Sequence, residues 1–240
     1  MKLNTLNLKI FLGITYLALI SIGLYFLFSA IDVRDLTSYE FIRSNKNVIL
    51  QYKNKNFLFL AFAFFIFSII WVLLLGFATP LLLFAGFVFG KWWGIIIVAT
   101  ATTIGAALLY LLVSFFFRET VEEKLAPKFS KLREFFSRND ILYFTCYRFI
   151  GGGGTPYAIQ NILPILFNMR LKNYMIATFI GSTPSMFISV ALGSGIESII
   201  DKNKELSFSL VLFSPDIYLP IILFFLLLIS AFIIKKIYFK

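Results

Sequence analysis

The sequence predicts an all-α integral membrane protein with about five spanning helices and two re-entrant helical hairpins in an inverted repeat. The chain is 60% hydrophobic and 14% charged, with a mean hydropathy of +0.89. Soluble domains contain about 45–50% apolar and about 25% charged residues. Several apolar stretches have spanning length, and two further apolar stretches are interrupted by proline and glycine.

The spanning helices are predicted from apolar stretches that approach the required length of about 20 residues. Lys2 and Lys9 precede the first stretch, but no small-residue cleavage site follows it cleanly. This favours an uncleaved helix over a secretory signal. The predicted spans are Ile10–Phe28, Phe57–Ala78, Gly94–Phe117, Tyr174–Ile196 and Ile217–Ile234.

Polar connections between these spans divide the chain into three predicted units. Residues 1–56 hold the N-terminal transmembrane helix and a polar connection, and residues 57–207 form an inverted-repeat membrane domain. Residues 208–240 hold the C-terminal transmembrane helix and a basic tail. The polar connections are Asp32–Asn56, Arg118–Asp140, Asn168–Asn173 and Glu197–Ser207.

The two interrupted stretches are Thr79–Gly94 and Tyr147–Asn161, and each precedes an apolar segment of spanning length. Non-helical backbone cannot face lipid, because each unpaired N–H or C=O group there costs several kcal/mol. Such backbone is buried in protein or lines a watery cavity. Paired broken segments are typical of inverted-repeat transport folds, in which the site lies where the two breaks meet.

The positive-inside rule gives the predicted orientation. With both hairpins treated as re-entrant, most Lys and Arg residues fall on one side, including those of Arg118–Asp140 and the tail. The rule therefore places the C-terminus in the cytoplasm and the N-terminus outside. Lys2 and Lys9 argue against the outer position of the N-terminus, so its side stays open.

The connection Arg118–Asp140 has apolar residues at helical spacing opposite a charged face, and Pro127 is expected to divide it into two short helices. We interpret it as a connector on the cytoplasmic membrane face. A gating or partner-binding role is the alternative. Its apolar residues are Val121, Leu125, Phe129, Leu132, Phe135 and Phe136.

Several function classes are excluded by composition. The net charge of +10 is explained by loops that flank the membrane, so no nucleic-acid partner is expected. The chain has no His, and no carboxylate pair lies in an apolar stretch, so neither an enzyme active site nor a metal site nor a cofactor is predicted. The single Cys146 excludes an internal disulfide framework.

Arg148 lies in apolar sequence directly before four glycines. One interpretation is a fixed cation whose planar fork pairs with phosphate oxygens. The other is an arginine that snorkels to the nearby cytoplasmic surface. Gly151, Gly152, Gly153 and Gly154 either supply backbone N–H groups to an anion or only permit a tight turn.

The segment after the glycines is predicted to begin a short half-helix, with Pro156 in its first turn. Its N-terminus would add positive potential for an anionic group. Thr155 is expected to contribute a hydrogen bond. Asn161 is expected to bond backbone groups that the break frees, with a headgroup contact as the alternative. The candidate substrate-binding residues are Arg148, Gly151, Gly152, Gly153, Gly154, Thr155, Pro156 and Asn161.

The glycines of the first break have a predicted structural role. Gly86, Gly90 and Gly94 recur at every fourth position, which would place them on one helix face where another helix approaches closely. Gly105 continues a small-residue face in the next helix, and Pro80 opens a half-helix. Gly193 is likewise interpreted as a close-packing position. Such faces also allow self-association into a homo-oligomer.

These residues resemble the VTT domain of the DedA and SNARE-associated Golgi protein family. The similarity covers about Thr79 to Gly195. It implies two re-entrant hairpins that meet in mid-membrane and a role in moving phospholipids or polyprenyl-phosphate carriers between leaflets. The residues that carry it are Pro80, Gly86, Gly90, Gly94, Gly105 and Arg118 in the first half, and Arg148, the glycine turn, Thr155, Pro156, Asn161, Asn168, Arg170, Tyr174, Gly181 and Pro184 in the second.

The chain departs from that family in two places. Many relatives have proline three residues after the arginine, where this chain has Gly151. Several bacterial members have an acidic residue at the first hairpin, whereas none lies between Phe57 and Phe117 here. The second departure argues against proton-driven transport and favours the branch associated with passive lipid scrambling.

The sequence therefore predicts a lipid translocator, a scramblase or flippase, whose anionic headgroup passes between the hairpins. An ion- or proton-coupled small-solute transporter and a non-transporting membrane assembly factor are the alternatives. The usage of Lys, Asn, Ile and Phe is typical of AT-rich bacterial genomes, so a bacterial plasma membrane is expected. The lipid, the direction and the energy source stay open.

Overall fold

The computed structural model describes residues 39–74 and 78–201, together with isolated positions nearer both termini. All regular structure in these two ranges is helical, as predicted. A π-helical turn (Val121–Leu125) and a 3-10 turn (Ala126–Phe129) follow α2, and a second 3-10 turn (Gly151–Gly154) follows α4. The helices are α1 (Tyr39–Leu73), α2 (Ala78–Thr120), α3 (Ser130–Arg138), α4 (Asp140–Phe149), α5 (Tyr157–Leu166) and α6 (Leu171–Asp201).

Three segments of the described ranges are long and apolar enough to cross a membrane, namely Gln51–Leu73, Ala78–Glu119 and Leu171–Gly195. They overlap the predicted spans Phe57–Ala78, Gly94–Phe117 and Tyr174–Ile196. A multi-pass membrane protein follows from their length and composition. The predicted spans Ile10–Phe28 and Ile217–Ile234 lie outside the described ranges, so the count of five stays a prediction.

Helix α1 begins earlier than the sequence predicts. The segment Asp32–Asn56 was predicted as a polar connection, but the described part of it is helical from Tyr39. No proline or glycine interrupts the sequence from Tyr39 to Leu73, and polarity alone does not stop a helix. The helix is kinked at Asn56, where the polar connection was predicted to end; φ is −138° and ψ is 43° there.

The first hairpin pairs α1 with the beginning of α2. The ring centroid of Phe57 lies 5.9 Å from that of Phe89, and the ring of Phe64 lies 5.5 Å from that of Phe84. Residue numbers rise along one helix as they fall along the other, so the two segments run antiparallel. Residues 78–89 therefore form the second arm of a hairpin whose first arm is the apolar part of α1. The sequence predicted the first hairpin within Thr79–Gly94 and the apolar part of α1 as a separate span.

The chain reverses again at Gly90, where φ is +75°. A Cβ atom at Gly94 would lie 2.6 Å from the carbonyl oxygen of Ala85, which shows that the chain folds back between them. The expectation that Gly86, Gly90 and Gly94 share one helix face is wrong, because the helix breaks at the middle glycine. Gly90 supplies a left-handed backbone conformation that other residues rarely adopt.

The second hairpin consists of α4 and α5, which have 10 residues each. At a rise of 1.5 Å per residue each arm is about 15 Å long, and a hydrocarbon core is about 30 Å thick. Neither arm is long enough to cross it alone. Their insertion as a re-entrant pair stays a prediction. After α5 the chain reverses at Asn168, with φ at 53°, and enters α6.

The two halves make equivalent contacts at positions 76 residues apart. A Cβ atom at Gly105 would lie 2.8 Å from Cβ of Val72 in the first arm of its hairpin. A Cβ atom at Gly181 would lie 2.7 Å from Cβ of Arg148 in the first arm of the second hairpin. Each hairpin thus packs on the long helix that follows it through a glycine, which supports the predicted internal repeat.

The long helices of the two halves run antiparallel. Thr102 of α2 lies beside Met186 of α6, with Oγ1 and Sδ 3.9 Å apart, while the rings of Tyr110 and Tyr174 lie 5.5 Å apart. Residue numbers therefore rise along α2 as they fall along α6. Equivalent halves in opposite orientation are what an inverted repeat requires.

Small residues bring the halves together, as predicted for Gly86 and Gly193. A Cβ atom at Gly86 would overlap the carbonyl oxygen of Val190, and one at Gly193 would overlap that of Leu83. Neither position has room for a side chain, so the helix backbones touch directly. Gly105 is also confirmed as a packing position. Gly181 packs in the same way, and Pro184 lies inside α6 without ending it.

The connector packs on the end of the second hairpin. The Phe136 ring of α3 is buried and stacks on Phe167 with centroids 4.1 Å apart. Nη2 of Arg118 donates to Oδ1 of Asn168 at 2.8 Å, and the Tyr110 hydroxyl donates to the carbonyl of Met169 at 2.8 Å. These contacts hold the three residues that follow α5. Pro127 lies in the 3-10 turn, so the predicted break is confirmed.

Replacement of Gly86 by valine tests the contact between the halves. The new side chain would overlap the backbone of α6 at Val190. Overpacking of this kind lowers the free energy of unfolding by about 1–3 kcal/mol. We expect a lower melting temperature of the purified protein in detergent. Leu111→Val, on the exposed face of α2, is the control and should leave the melting temperature within a degree or two. Equal melting of both variants would contradict the close approach.

Candidate functional site

Arg148 lies in the last turn of α4 and is 2% exposed. Nη1 donates to Oε1 of Gln160 at 3.0 Å, and Nη2 donates to Oδ1 of Asn161 and, at 3.2 Å, to the Tyr174 hydroxyl. The guanidinium therefore does not snorkel, since it does not reach bulk water. It does not line an open cavity either. It joins both arms of the second hairpin to α6.

A proline contributes one further partner of Arg148. Pro164 lies inside α5 and has no N–H group, so the carbonyl of Gln160 loses its usual helical donor. Nη2 of Arg148 lies 3.4 Å from that carbonyl oxygen and takes the place of the missing N–H. The sequence thus creates a free acceptor in an apolar helix and supplies a charged donor to it.

The surroundings of the guanidinium are neutral. All four of its hydrogen-bonding partners are uncharged, and the rings of Phe144, Tyr157 and Tyr174 lie 5.3 to 5.9 Å from Cζ of Arg148. Aromatic faces stabilise a cation by about 0.5–2 kcal/mol each, and the hydrogen bonds add to this. None of these groups cancels the charge, so the site keeps a net charge of +1.

Unused donors cluster at the same place. In the described part of the chain, buried side-chain atoms without a hydrogen-bonding partner include Nε of Arg148, Nδ2 of Asn161 and the hydroxyl of Tyr157. A buried polar group without a partner costs about 1–3 kcal/mol. One unused donor on the cation itself and two beside it form a site that would bind an acceptor-rich anion.

Gln160 connects this site to the glycine turn. Its side-chain Nε2 donates to the carbonyl of Gly151 at 3.1 Å and to the carbonyl of Thr155 at 2.8 Å. Its Oε1 accepts from Arg148. Oε1 must face the guanidinium and Nε2 the carbonyls, because the reverse orientation would place donors against donors. Gln160 therefore clamps both ends of the turn.

The glycine turn has an open outer surface. All four of its glycines have φ between +59° and +81°. Gly151, Gly153 and Gly154 are exposed, and a Cβ atom there would meet nothing within 4 Å. Gly152 is buried, and its Cβ atom would overlap the Gln160 side chain. Glycine is required here for the backbone conformation and, at one position, for space.

Thr155 and Pro156 lie between the turn and α5. The Thr155 hydroxyl contacts the Tyr147 hydroxyl and donates to the carbonyl of Gly152 at 2.7 Å. Pro156 was expected inside the first turn of the helix, but it is the N-cap residue of α5 and has no side-chain acceptor to offer. The first N–H groups of α5 therefore have no cap, which favours an anion at this end.

The expected role of Asn161 needs correction. The sequence favoured a bond to backbone freed by the break, but its Oδ1 accepts from Arg148 and, at 3.2 Å, from Tyr174. The freed backbone carbonyls are bonded by Gln160, which was not among the predicted site residues. The sequence does contain a signal for Gln160, because two adjacent amide side chains, Gln160 and Asn161, are unusual in an apolar half-helix. Tyr157 was also missed, since an aromatic residue in apolar sequence carries no signal of its own.

The first half of the repeat lacks this network. The positions 76 residues before Arg148 and Asn161 are Val72 and Ala85, which are buried in apolar surroundings. The equivalent of Gln160 is Phe84. The site is therefore built by the second hairpin, and the predicted meeting of two hairpin tips is not needed to form it.

The remaining predicted residues lie away from this cluster. Arg118 is half exposed and is paired with Glu122 at 3.0 Å, at the connector. Pro80 lies in the first turn of α2, as predicted. Among the described residues no group of His, Cys, Asp and Glu has the arrangement of a metal site.

Comparisons with known proteins agree on one domain. The family model of the VTT domain matches residues 77–195, a range that contains the second hairpin and Arg148. The Transmembrane protein 41 homolog of Caenorhabditis elegans is 25% identical over 147 residues, which cover 59% of this chain and 59% of that protein. The chain thus spans less than two thirds of that relative's length. No solved structure matches the chain significantly.

Arg148→Lys tests the network while keeping the charge. A lysine has one nitrogen and cannot occupy both the Nη1 position at Gln160 and the Nη2 position at Asn161 and Tyr174. A lost hydrogen bond to a charged group costs about 1.5–3 kcal/mol. We expect lower thermal stability in detergent. Arg138→Lys is the control, because its ion pair with Glu134 is exposed and spans 3.6 Å. Such pairs contribute about 0–1 kcal/mol. Equal stability of the two variants would contradict the network.

A pair of alanine substitutions tests the fit of Gln160 in the turn. Gly152→Ala and Gly153→Ala both place a side chain at positive φ, which costs about 1–2 kcal/mol in each case. Only the methyl group of Gly152→Ala would also overlap the Gln160 side chain. We expect Gly152→Ala to lower the melting temperature several degrees further than Gly153→Ala. The reverse order would show that the side chain of Gln160 does not occupy the turn.

Proposed function

We propose that this chain, which belongs to the VTT-domain family of DedA and SNARE-associated Golgi proteins, moves lipids with a phosphate headgroup between the leaflets of its membrane. Members of this family are linked to lipid scrambling. The substrates would be phospholipids or polyprenyl phosphates, which share an anionic phosphate on an apolar body. The headgroup would pass over the second hairpin while the tails remain in the bilayer.

The observation that supports this proposal most directly is the buried charge of Arg148 among neutral partners. An arginine within a membrane domain costs several kcal/mol and indicates a functional site with an expected partner. The partner that fits a planar guanidinium with unused neighbouring donors is a phosphate, whose oxygens accept several hydrogen bonds at once. The free energy of the guanidinium is lowered when it exchanges neutral acceptors for a negatively charged phosphate.

The surface of the hairpin tip offers a route to Arg148. Gly151, Gly153 and Gly154 leave backbone without side-chain cover, and the uncapped N-terminus of α5 adds positive potential beside them. A headgroup would first meet this surface. It would then reach Arg148 by displacing Gln160, which separates the guanidinium from the turn. Thr155 would contribute its hydroxyl during this step.

Passive exchange fits the site better than proton coupling. The groups that contact Arg148 are an amide, a second amide, a phenol and a backbone carbonyl, and none of them exchanges a proton near neutral pH. A coupled transporter needs a group that titrates during the cycle. The site therefore supports movement of lipid down its own gradient.

The proposal is tested by lipid equilibration in vesicles that contain the purified protein. We expect a fluorescent phosphatidylglycerol to equilibrate between leaflets at the same rate with and without a proton gradient. Arg148→Ala should reduce the rate to that of protein-free vesicles, because the headgroup loses its charged partner. Arg138→Ala should behave as the wild type.

Folding of each variant is checked by size-exclusion chromatography and thermal melting before reconstitution. Unchanged equilibration by folded Arg148→Ala would remove this residue from the mechanism. A rate that follows the proton gradient would replace scrambling by coupled transport.

A further inference from the structure

We infer that Gln160 is a positioning residue that couples headgroup binding at Arg148 to opening of the glycine turn. The inference rests on the proposed function, because it concerns the same anion site. It starts from a property of one side chain. The single carboxamide of Gln160 holds the guanidinium with its oxygen and both ends of the turn with its nitrogen.

The geometry links the bond that Gln160 makes to Arg148 with the bonds that it makes to the turn. Gln160 is 7% exposed and lies between Arg148 and the turn, with Gly152 directly against it. Its oxygen faces a charged donor, and this fixes the direction in which its nitrogen points. When the oxygen loses that donor, the carboxamide keeps only the two bonds from Nε2 to the carbonyls of Gly151 and Thr155.

An arriving phosphate would remove that donor. Phosphate oxygens compete for the Nη1 group that now bonds Gln160. Their negative charge attracts the guanidinium, whereas the amide oxygen of Gln160 is neutral. Oε1 of Gln160 would then face an anion, so the carboxamide would turn away. The turn would then lose the bonds from Gln160 at both of its ends and would expose the N-terminus of α5 to the headgroup.

Substitutions at Gln160 separate this coupling from a purely structural role. Gln160→Met has a similar shape but makes no hydrogen bonds, so it should leave the turn open and Arg148 available. Gln160→Glu supplies a built-in carboxylate, which would pair with Arg148 and compete with any phosphate. The coupling predicts opposite effects on anion affinity. A structural role predicts that both variants bind more weakly.

The experiment measures binding of short-chain phosphatidic acid to purified protein in detergent by native mass spectrometry. We expect Gln160→Met to bind about tenfold more tightly than the wild type, and Gln160→Glu about tenfold more weakly, as a hydrogen bond to a charged group implies. Weaker binding by both variants, or equal binding by all three proteins, would overturn the coupling.

Hydrogen exchange of the backbone from 150 to 156 gives a second readout that does not depend on the variants' affinity. In the wild type, phosphatidic acid should accelerate exchange in this segment. In Gln160→Met, exchange should be fast without lipid and should not change on its addition. A wild-type turn that stays protected with lipid bound would contradict the inference.

The binding experiment is run with two ligands, phosphatidic acid and inorganic phosphate, to identify the source of the anion. A comparison with lipid equilibration separates this inference from the proposed function. Opening by phosphatidic acid alone assigns a lipid headgroup, whereas opening by inorganic phosphate as well assigns a general phosphate site. The coupling holds in both cases. If the wild type binds and opens but does not equilibrate lipid in vesicles, the proposed function fails and the coupling stands.

Discussion

The structure depends on how one buried positive charge is held without a negative partner. Full transfer of an ion from water to an apolar medium costs on the order of 20 kcal/mol in the idealised limit, and several kcal/mol remain after relaxation. Arg148 is 2% exposed, and its partners are amides, a phenol and a backbone carbonyl. These dipoles and three aromatic rings stabilise the cation but do not cancel its charge.

The surrounding fold is arranged to provide these dipoles. Pro164 frees a carbonyl in α5, four glycines form the turn between α4 and α5, and Gly181 lets α4 lie directly on α6. The first half of the repeat has the same glycine contact at Gly105 but apolar residues elsewhere. The two hairpins therefore differ in chemistry. The first makes apolar packing contacts, and the second contains the charged Arg148 and its polar partners. The polar network around Arg148 lies in one of the two halves.

Much of the fold could be predicted from the sequence, because proline and glycine act locally. The turn at Gly151–Gly154, the end of the connector's first helix near Pro127 and the close packing at Gly86 follow from backbone sterics alone. The pairing of α1 with the first arm of α2 could not be predicted, since both are uniformly apolar and hydropathy does not identify a partner. The extension of α1 to Tyr39 shows that a polar segment can remain helical.

The site was predictable in part for a similar reason. A charge in apolar sequence identifies Arg148, whereas the residue that connects it to the turn has no such signature. Gln160 acquires its importance only when the turn brings α5 within reach of the Arg148 side chain. The same applies to Asn161, whose direction of bonding depends on Tyr174 in another helix. Side-chain networks between distant segments are the part that one sequence does not specify.

The central claim is that the guanidinium of Arg148 exchanges its neutral partners for a lipid phosphate. The most direct test is an experimental structure of the protein in nanodiscs that contain an anionic phospholipid. The account predicts a headgroup phosphate within hydrogen-bonding distance of Arg148 and a displaced Gln160. A lipid-filled structure in which Arg148 still donates to Gln160, Asn161 and Tyr174, with every phosphate outside the protein, would contradict it.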